Sequence, residues 1–477
     1  MASFEAPRLH VIGAGLAGSA LATQMAQDGV CVTLYDANEP FASRWTRGMK
    51  TAPEDHKVAE PEIFYDPNGL VHAFFAQWPE IPAKLVRPAH AVLGLKHPKR
   101  GPAIINLDRG IAPALIKRRP TAFARIFTAV NLWFSRYAAE DRRVRPRNNI
   151  SDLTETQQSR GATYHQDALA TLAEVLFSMP AHNCSAALLG RALLPGIGDL
   201  RRHITNHAFA AIDPIILNDI ALPILRDHFV TAGGKIVDGM TLGNIDSTGF
   251  TATNLLFGDT QIEIRPQDAI VLALHPRPLC DAVPNIGMPP APAHRRAFVF
   301  EAKKTFAEPC CVLTGDDLVR AIYCNRRHIQ VSINSSLTLP IDSTADQFAA
   351  TIWQRTVELC AQHLNLDLTS RTKITKNSLC PVFSYVDCEA PFPELSPGVA
   401  ALRHRLRPPW RNLFLCGDSF PADYPPGPAA VIASVLEVRA KLHDFFKTKR
   451  DTRRITDLNQ TAINAAATRR ASDTKTL

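Results

Sequence analysis

Two observations predict an α/β chain. Residues 8–36 read RLHVIGAGLAGSALATQMAQDGVCVTLYD: a short apolar strand, a glycine-rich turn, a helix, and a second strand that ends in an acid. Far along the chain, residues 410–436 read WRNLFLCGDSFPADYPPGPAAVIASVL: an apolar strand ending at Gly417 and Asp418, a proline-rich loop, and a helix. Strand–turn–helix units of this kind hold nucleotides. The expected fold class is therefore α/β. A Rossmann-like domain is expected to draw on both ends of the chain.

The first unit carries GxGxxG at Gly13, Gly15 and Gly18. Gly13 permits the sharp turn, Gly15 leaves room for a pyrophosphate against the backbone, and Gly18 lets helix and strand approach closely. The helix N-terminus offers unpaired N–H groups and a partial positive charge. The expected phosphate cradle is thus Gly13, Ala14, Gly15, Leu16, Ala17 and Gly18. Asp36, with Ala37 beside it, is placed to accept hydrogen bonds from the adenosine ribose. An acid there repels a 2′-phosphate, so NADP is not the expected ligand. A glycine turn kept only for packing is the plainer alternative, and this segment alone does not separate NAD from FAD.

The chain has 477 residues, enough for two or three packed lobes. No apolar run approaches the ~20 residues needed to span a bilayer. The N-terminus lacks a basic stretch followed by a long apolar one, so no signal peptide is expected and the location expected is cytoplasmic. The net charge of +8 suits an anionic partner, although a solvated basic surface gives the same number. Ten cysteines include no CxxC pair, and there is no HExxH. The thiols are read as reduced and mostly buried, and no metal is expected.

The C-terminal unit resembles the flavin-closing segment of the FAD-dependent amine oxidase and phytoene desaturase superfamily. That resemblance implies FAD as cofactor. It gives Gly417 and Asp418 the ribityl or pyrophosphate end, and the backbone of Ala430 and Val431 the pyrimidine edge of the flavin. It places Leu242, in HFVTAGGKIVDGMTLGNID, on a strand beside the adenine, with Gly233 and Gly234 ending the helix before it. AIVLALHPRPLCDAV (269–283) becomes a strand running into a proline turn, where the chain crosses to the substrate lobe. The superfamily's GGR after the ribose acid is replaced by Ala42, Ser43 and Arg44, with Arg44 in the arginine's place. The implied division is 1–60, 211–275 and 401–448 for the FAD domain, 61–210 as the helical part of the substrate lobe, 276–400 as its sheet and helices, and 449–477 as a polar tail.

The order of the weaker middle segments is similar to that of the hydroxysqualene dehydroxylase family, flavoenzymes of hopanoid biosynthesis. LAEVLFSMPAHNCSAALLGRAL (172–193), AIDPIILNDIALPILRDHFVTAGGKI (211–236) and PPWRNLFLCGD carry that likeness. It implies a long-chain isoprenoid substrate whose hydroxyl is removed to give squalene. Another isoprenoid desaturation, an amine oxidation, or a non-catalytic partner of isoprenoid enzymes are the alternatives. The residues name no catalytic group: His275, Tyr385 and Asp387 qualify by position alone. The aromatic stripe of 127–137 fits a substrate wall or ordinary core. Residues 116–147, basic at both ends and aromatic between, fit peripheral contact with a membrane's inner face, or a basic helix packed on the core. Contact with neighbouring isoprenoid enzymes is expected, and nucleic acid is not. RPAHAVLGLKHPKRGP (87–102) is expected to be a surface loop.

Overall fold

The computed structural model describes residues 6–37, 63–95, 103–108, 171–177, 184, 207–283, 292–334, 337, 345–374, 378–393, 410–418 and 424–448. Arg44, the 116–147 segment with its aromatic stripe, and the 449–477 tail lie outside them.

The chain opens with β1 (Arg8–Ile12), α1 (Leu16–Gln27) and β2 (Cys31–Tyr35), as the glycine pattern predicts. Next come β3 (Ile63–Tyr65), α2 (Leu70–Phe75), β4 (Val86–Leu95), β5 (Ala103–Asn106) and α3 (171–177). β6 (Phe209–Ile212) leads through Pro214–Ile216 and a π-helical turn at Leu217–Ala221 into α4 (Leu222–Thr231). Asp213 caps this run by accepting the Ile216 N–H at 3.0 Å. The strands β7 (Lys235–Val237), β8 (Asn244–Thr248), β9 (Thr251–Phe257), β10 (Thr260–Glu263) and β11 (Ala269–Leu272) follow. Then come α5 (Pro276–Ala282), β12 (Pro292–Glu301), β13 (Cys310–Thr314), β14 (Val319–Asn325), β15 (His328–Ile333) and α6 (Ala345–Leu364). β16 (Phe383–Pro393), β17 (Leu413–Leu415) and α7 (428–448) close the described chain.

A five-stranded parallel sheet runs in the order β17-β11-β1-β2-β7. Its strands therefore come from the beginning, middle and end of the sequence. β1 at its centre is buried on both faces, because helices or the small sheet cover each side. Leu9, Val11 and Ala14 share a buried cluster with α1, α4 and α7, while Ile12 joins the cluster of β8, β9 and α5. The small antiparallel sheet β10-β9-β8 is fastened by Asn412, whose side chain accepts from the Ala252 N–H and donates to its carbonyl at 2.9 and 3.1 Å. Across the other face, Arg439 and His443 of α7 grip Asp28, which follows α1, at 2.8 and 2.9 Å. Burial pushes the Asp28 carboxyl up, but these two partners outweigh it and hold the group below the usual carboxylate range.

A nine-stranded sheet follows the order β16-β12-β15-β14-β13-β4-β6-β3, with β5 also paired to β4. Three sequence expectations change here. Residues 87–95 do not form a surface loop: they are most of β4, in the middle of this sheet. Ala89, Ala91, Leu93 and Leu95 alternate into one core while Val92 joins another. Pro88 is tolerated because β4 pairs only with β6 there; the β13 pairing begins at His90, so no donor is missed. The 61–210 stretch is likewise not only helical: α2 and α3 belong to it, but so do β3, β4, β5 and the start of β6. The proline turn after β11 is a helix, because Pro276 sits in its first turn, where a missing N–H costs nothing.

The described thiols are all free, with Cys184, Cys311, Cys324, Cys360, Cys380 and Cys416 buried and Cys31 exposed. Among the described residues, no helix is long and apolar enough to cross a membrane.

One buried group makes the sheet sensitive to acid. His10 on β1 is 3 % exposed, stacks on Tyr35 and lies 3.0 Å from its hydroxyl. Burial, aided by Arg8 and Arg265 and opposed by Asp268, lowers its pKa to about 4. Between the ordinary value of 6.5 and about 4, the unfolded chain binds a proton that the folded chain refuses. Stability is therefore expected to fall by about 3 kcal/mol across that window. Urea unfolding at several pH values checks this, and His10→Phe should remove most of the slope.

Candidate functional site

The β1–α1 turn is built around three glycines with separate reasons. Gly13 has φ of 100°, a region that favours glycine, and a Cβ there would stand 2.6 Å from the Ala273 carbonyl oxygen. A Cβ on Gly18 would overlap the Gly13 carbonyl, so the close helix–strand approach excludes it. Gly15 is different: a Cβ there would meet nothing of the protein within 4 Å. The fold does not demand glycine at this position. Open space above the turn is what a bound pyrophosphate requires.

The amides divide in the same way. Gly13 spends its N–H on the Tyr35 carbonyl at 2.7 Å, so it shapes the turn rather than donating outward. The helical ladder starts with the Ser19 N–H on the Gly15 carbonyl at 2.9 Å. The amides of Leu16, Ala17 and Gly18 precede that bond and sit at the positive end of α1. The Ser19 hydroxyl donates to the Ala14 carbonyl at 2.8 Å and fixes the turn from within.

Asp36 stands at the carboxyl end of β2. It accepts the Ala37 N–H at 2.8 Å, and its own carbonyl accepts from Met240 at 2.7 Å. That bond brings the 238–243 segment against the ribose end of the turn. Leu242 is half-buried there against the β8–β9 cluster. It lies in a loop rather than on a strand, because the β7–β2 pairing stops at Val237 and β8 starts at Asn244.

Gly417 and Asp418 follow β17 directly. Gly417 has φ of 142°, and its N–H donates to the Ser434 hydroxyl of α7 at 3.0 Å. Ser434 thereby sets the turn that presents Asp418, which is 4 % exposed. α7 begins after Gly427, whose φ is 150°. The Val431 N–H is bonded to the Gly427 carbonyl at 3.0 Å, so Val431 has no amide to offer a ligand. Ala430 and Ala429 precede that bond and occupy the donor positions.

The start of α7 also walls a cleft that is open to solvent. On one side are Pro425, Pro426, Gly427, Pro428 and Ala429. Facing them are Phe64 and Tyr65 of β3, Phe209 of β6, Tyr323 of β14, and Val175 and Leu176 of α3. The phenols of Tyr65 and Tyr323 are its polar side chains. Sequence reading missed them, since strands separated by so many residues meet only once the nine-stranded sheet is formed. His275 caps α5 instead, and Tyr385 packs on Phe298. Asp387 pairs across from Arg296 on the β16–β12 edge of the sheet.

The glycines make separable predictions. Gly15→Val should still fold, losing only the modest stability that valine costs at a helix N-cap, yet take up no dinucleotide in a fluorescence titration. Gly18→Val should lose more than about 4 kcal/mol of stability, because backbone has to move.

Residues 11–78 match the NAD(P)-binding Rossmann-like domain family. The hydroxysqualene dehydroxylase of Rhodopseudomonas palustris is 28% identical over 217 residues, which cover 44% of this chain and 47% of that protein. The match thus spans about half the length of that relative. Cyclohexylamine oxidase from Brevibacterium oxydans superposes with a TM-score of 0.59 at 14% identity, over 93% of this chain and 100% of the oxidase. An oxidoreductase from Methanosarcina mazei gives 0.58 at 12% identity, over 90% and 99%. The fold is that shared with these two solved oxidoreductases, and its N-terminal end matches the NAD(P)-binding Rossmann-like domain family.

Proposed function

We propose that the chain is an FAD-dependent oxidoreductase acting on a long-chain isoprenoid, and that its reaction is the reductive removal of the hydroxyl of hydroxysqualene to give squalene. The observation that carries the reading is the cleft. Most of its lining residues are apolar, and it ends at the first turn of α7. An amine substrate would gain little from such walls; a hydrocarbon loses its water contact there. The partial identity to a hydroxysqualene dehydroxylase supports the same choice.

The residues present suit FAD. Leu16, Ala17 and Gly18 would hold the pyrophosphate above the open face of Gly15, and Asp36 the adenosine ribose. Asp418 would take the ribityl end, and the amides of Ala429 and Ala430 the flavin's pyrimidine edge. When bound and reduced, the flavin supplies the hydride.

The protein's share is to bind, orient and keep out water. Phe64, Phe209, Val175 and Leu176 hold the hydrocarbon, and the prolines before α7 keep the opposite wall rigid. Tyr323 is 6 % exposed and Tyr65 is 4 % exposed. Either phenol can hand a proton to the departing hydroxyl from within the cleft, and their ring faces favour an allylic cation. The seated hydrocarbon would itself displace water from beside that cation.

The purified chain should take up FAD to near-unit stoichiometry and show two flavin absorption bands. Under anaerobic reduction it should then convert hydroxysqualene to squalene, read by mass spectrometry. Tyr323→Phe should lower kcat by about 10² with KM little changed, in keeping with a lost acid. Flavin uptake without squalene formation would remove the substrate assignment. No uptake at all would remove the enzyme assignment.

A further inference from the structure

α7 buries a hydroxyl, that of Ser434, one turn beyond Ala430 and Val431. Residues three and four apart share a face of a helix, so Ser434 lies on the same side of α7 as those two. A buried hydroxyl on a helix commonly turns back on its own backbone. Thr356 of α6 does so, donating to the Ile352 carbonyl at 2.7 Å. Ser434 instead serves another element. Its Oγ accepts the Gly417 N–H at 3.0 Å and donates to the Cys416 sulfur at 3.7 Å. The lone pair and the proton of the hydroxyl are therefore both in use. Cys416 is fully buried, and its own N–H donates to the Leu272 carbonyl of β11 at 3.0 Å. The end of β17 is thus fastened to the sheet on one side and to α7 on the other. Gly417, at a φ of 142°, has backbone freedom that no side chain restricts. The bond to Ser434 selects one of its conformations, and Asp418 comes next in the chain.

We propose that Ser434 is a positioning residue for the flavin end of the cofactor. Its hydroxyl locks the Gly417–Asp418 turn to α7, so that Asp418 and the amides of Ala429 and Ala430 meet the bound group as one rigid arrangement. The inference rests on the reading of those groups as flavin contacts, and it does not depend on which substrate the cleft takes. A site ordered before binding spares the ligand the cost of ordering it. The adenosine end is held by different bonds. Gly13 is tied to Tyr35, the Ser19 hydroxyl to Ala14, and Asp36 to Met240. None of these bonds involves α7. Loss of the Ser434 hydroxyl is therefore felt at the flavin end and not at the adenosine end.

Calorimetric titration of the full chain, freed of flavin, with FAD and separately with ADP tests this. ADP carries the adenosine and the pyrophosphate without the flavin. Wild type should bind both. Ser434→Ala leaves the Gly417 amide without its partner, and should weaken FAD by about tenfold while ADP binds as before. Ser434→Cys keeps nearly the same volume but offers only a weak acceptor. It should also weaken FAD and spare ADP, which separates the lost hydrogen bond from a lost contact. Two outcomes overturn the role of Ser434 alone: FAD affinity unchanged in both variants, or FAD and ADP weakened together, which is general damage to the fold. Wild type that binds ADP but not FAD overturns the flavin reading, and the role of Ser434 falls with it.

Discussion

Gly13 donates to the Tyr35 carbonyl, and Ala273 donates to the Ile12 carbonyl at 2.8 Å. These two bonds hold the β1–α1 turn between β2 and β11. The Ser19 hydroxyl on the Ala14 carbonyl holds the same turn from within. The amides of Leu16 to Gly18 point where they do because α1 starts from this turn. Asp36 sits at the neighbouring strand end because Tyr35 is the partner. The closing strand β17 reaches the site because β11 pairs with it and with β1. Loss of this local clamp would misplace every group assigned to the nucleotide.

The parts that sequence made legible are those where chemistry dictates residue type within a short window. A left-handed position, a close backbone approach and a space for phosphate each leave a glycine, and together they leave a spaced set. Gly417 before Asp418 is legible for the same reason. β4 was not. His90, Lys96 and the three prolines of 87–102 suggest an exposed loop, and the alternating alanines are too small to signal a strand. Its partners β13 and β6 supply what its own side chains do not. Val431 was assigned one position too far because only the hydrogen bond from its amide to Gly427 fixes where α7 starts its ladder.

The cleft illustrates a deeper limit. Its walls come from β3, β6, β14, α3 and the 425–429 turn, which have no shared motif. Each is an ordinary apolar segment in isolation. Tyr65 and Phe209 meet because β3 pairs with β6 in a register that sets Tyr65 opposite Phe209. Such a site is a property of strand register, and register is a long-range fact. The binding half of the molecule is therefore written locally, and the chemical half is written in the fold.

The parallel sheet has a consequence in time. Its strands are drawn from residues 8–12, 31–35, 235–237, 269–272 and 413–415. Pairing over such separations pays loop-closure entropy before any contact returns it, so this sheet is expected to form slowly. During synthesis the first two strands and α1 leave the ribosome long before β11 and β17. Until then, the β11-facing edge of β1 presents unpaired backbone and the apolar face of α1 lacks its cover from α7. The nascent chain carries its nucleotide cradle early and completes it last. The interval between the two is when it is most exposed to wrong edge pairing.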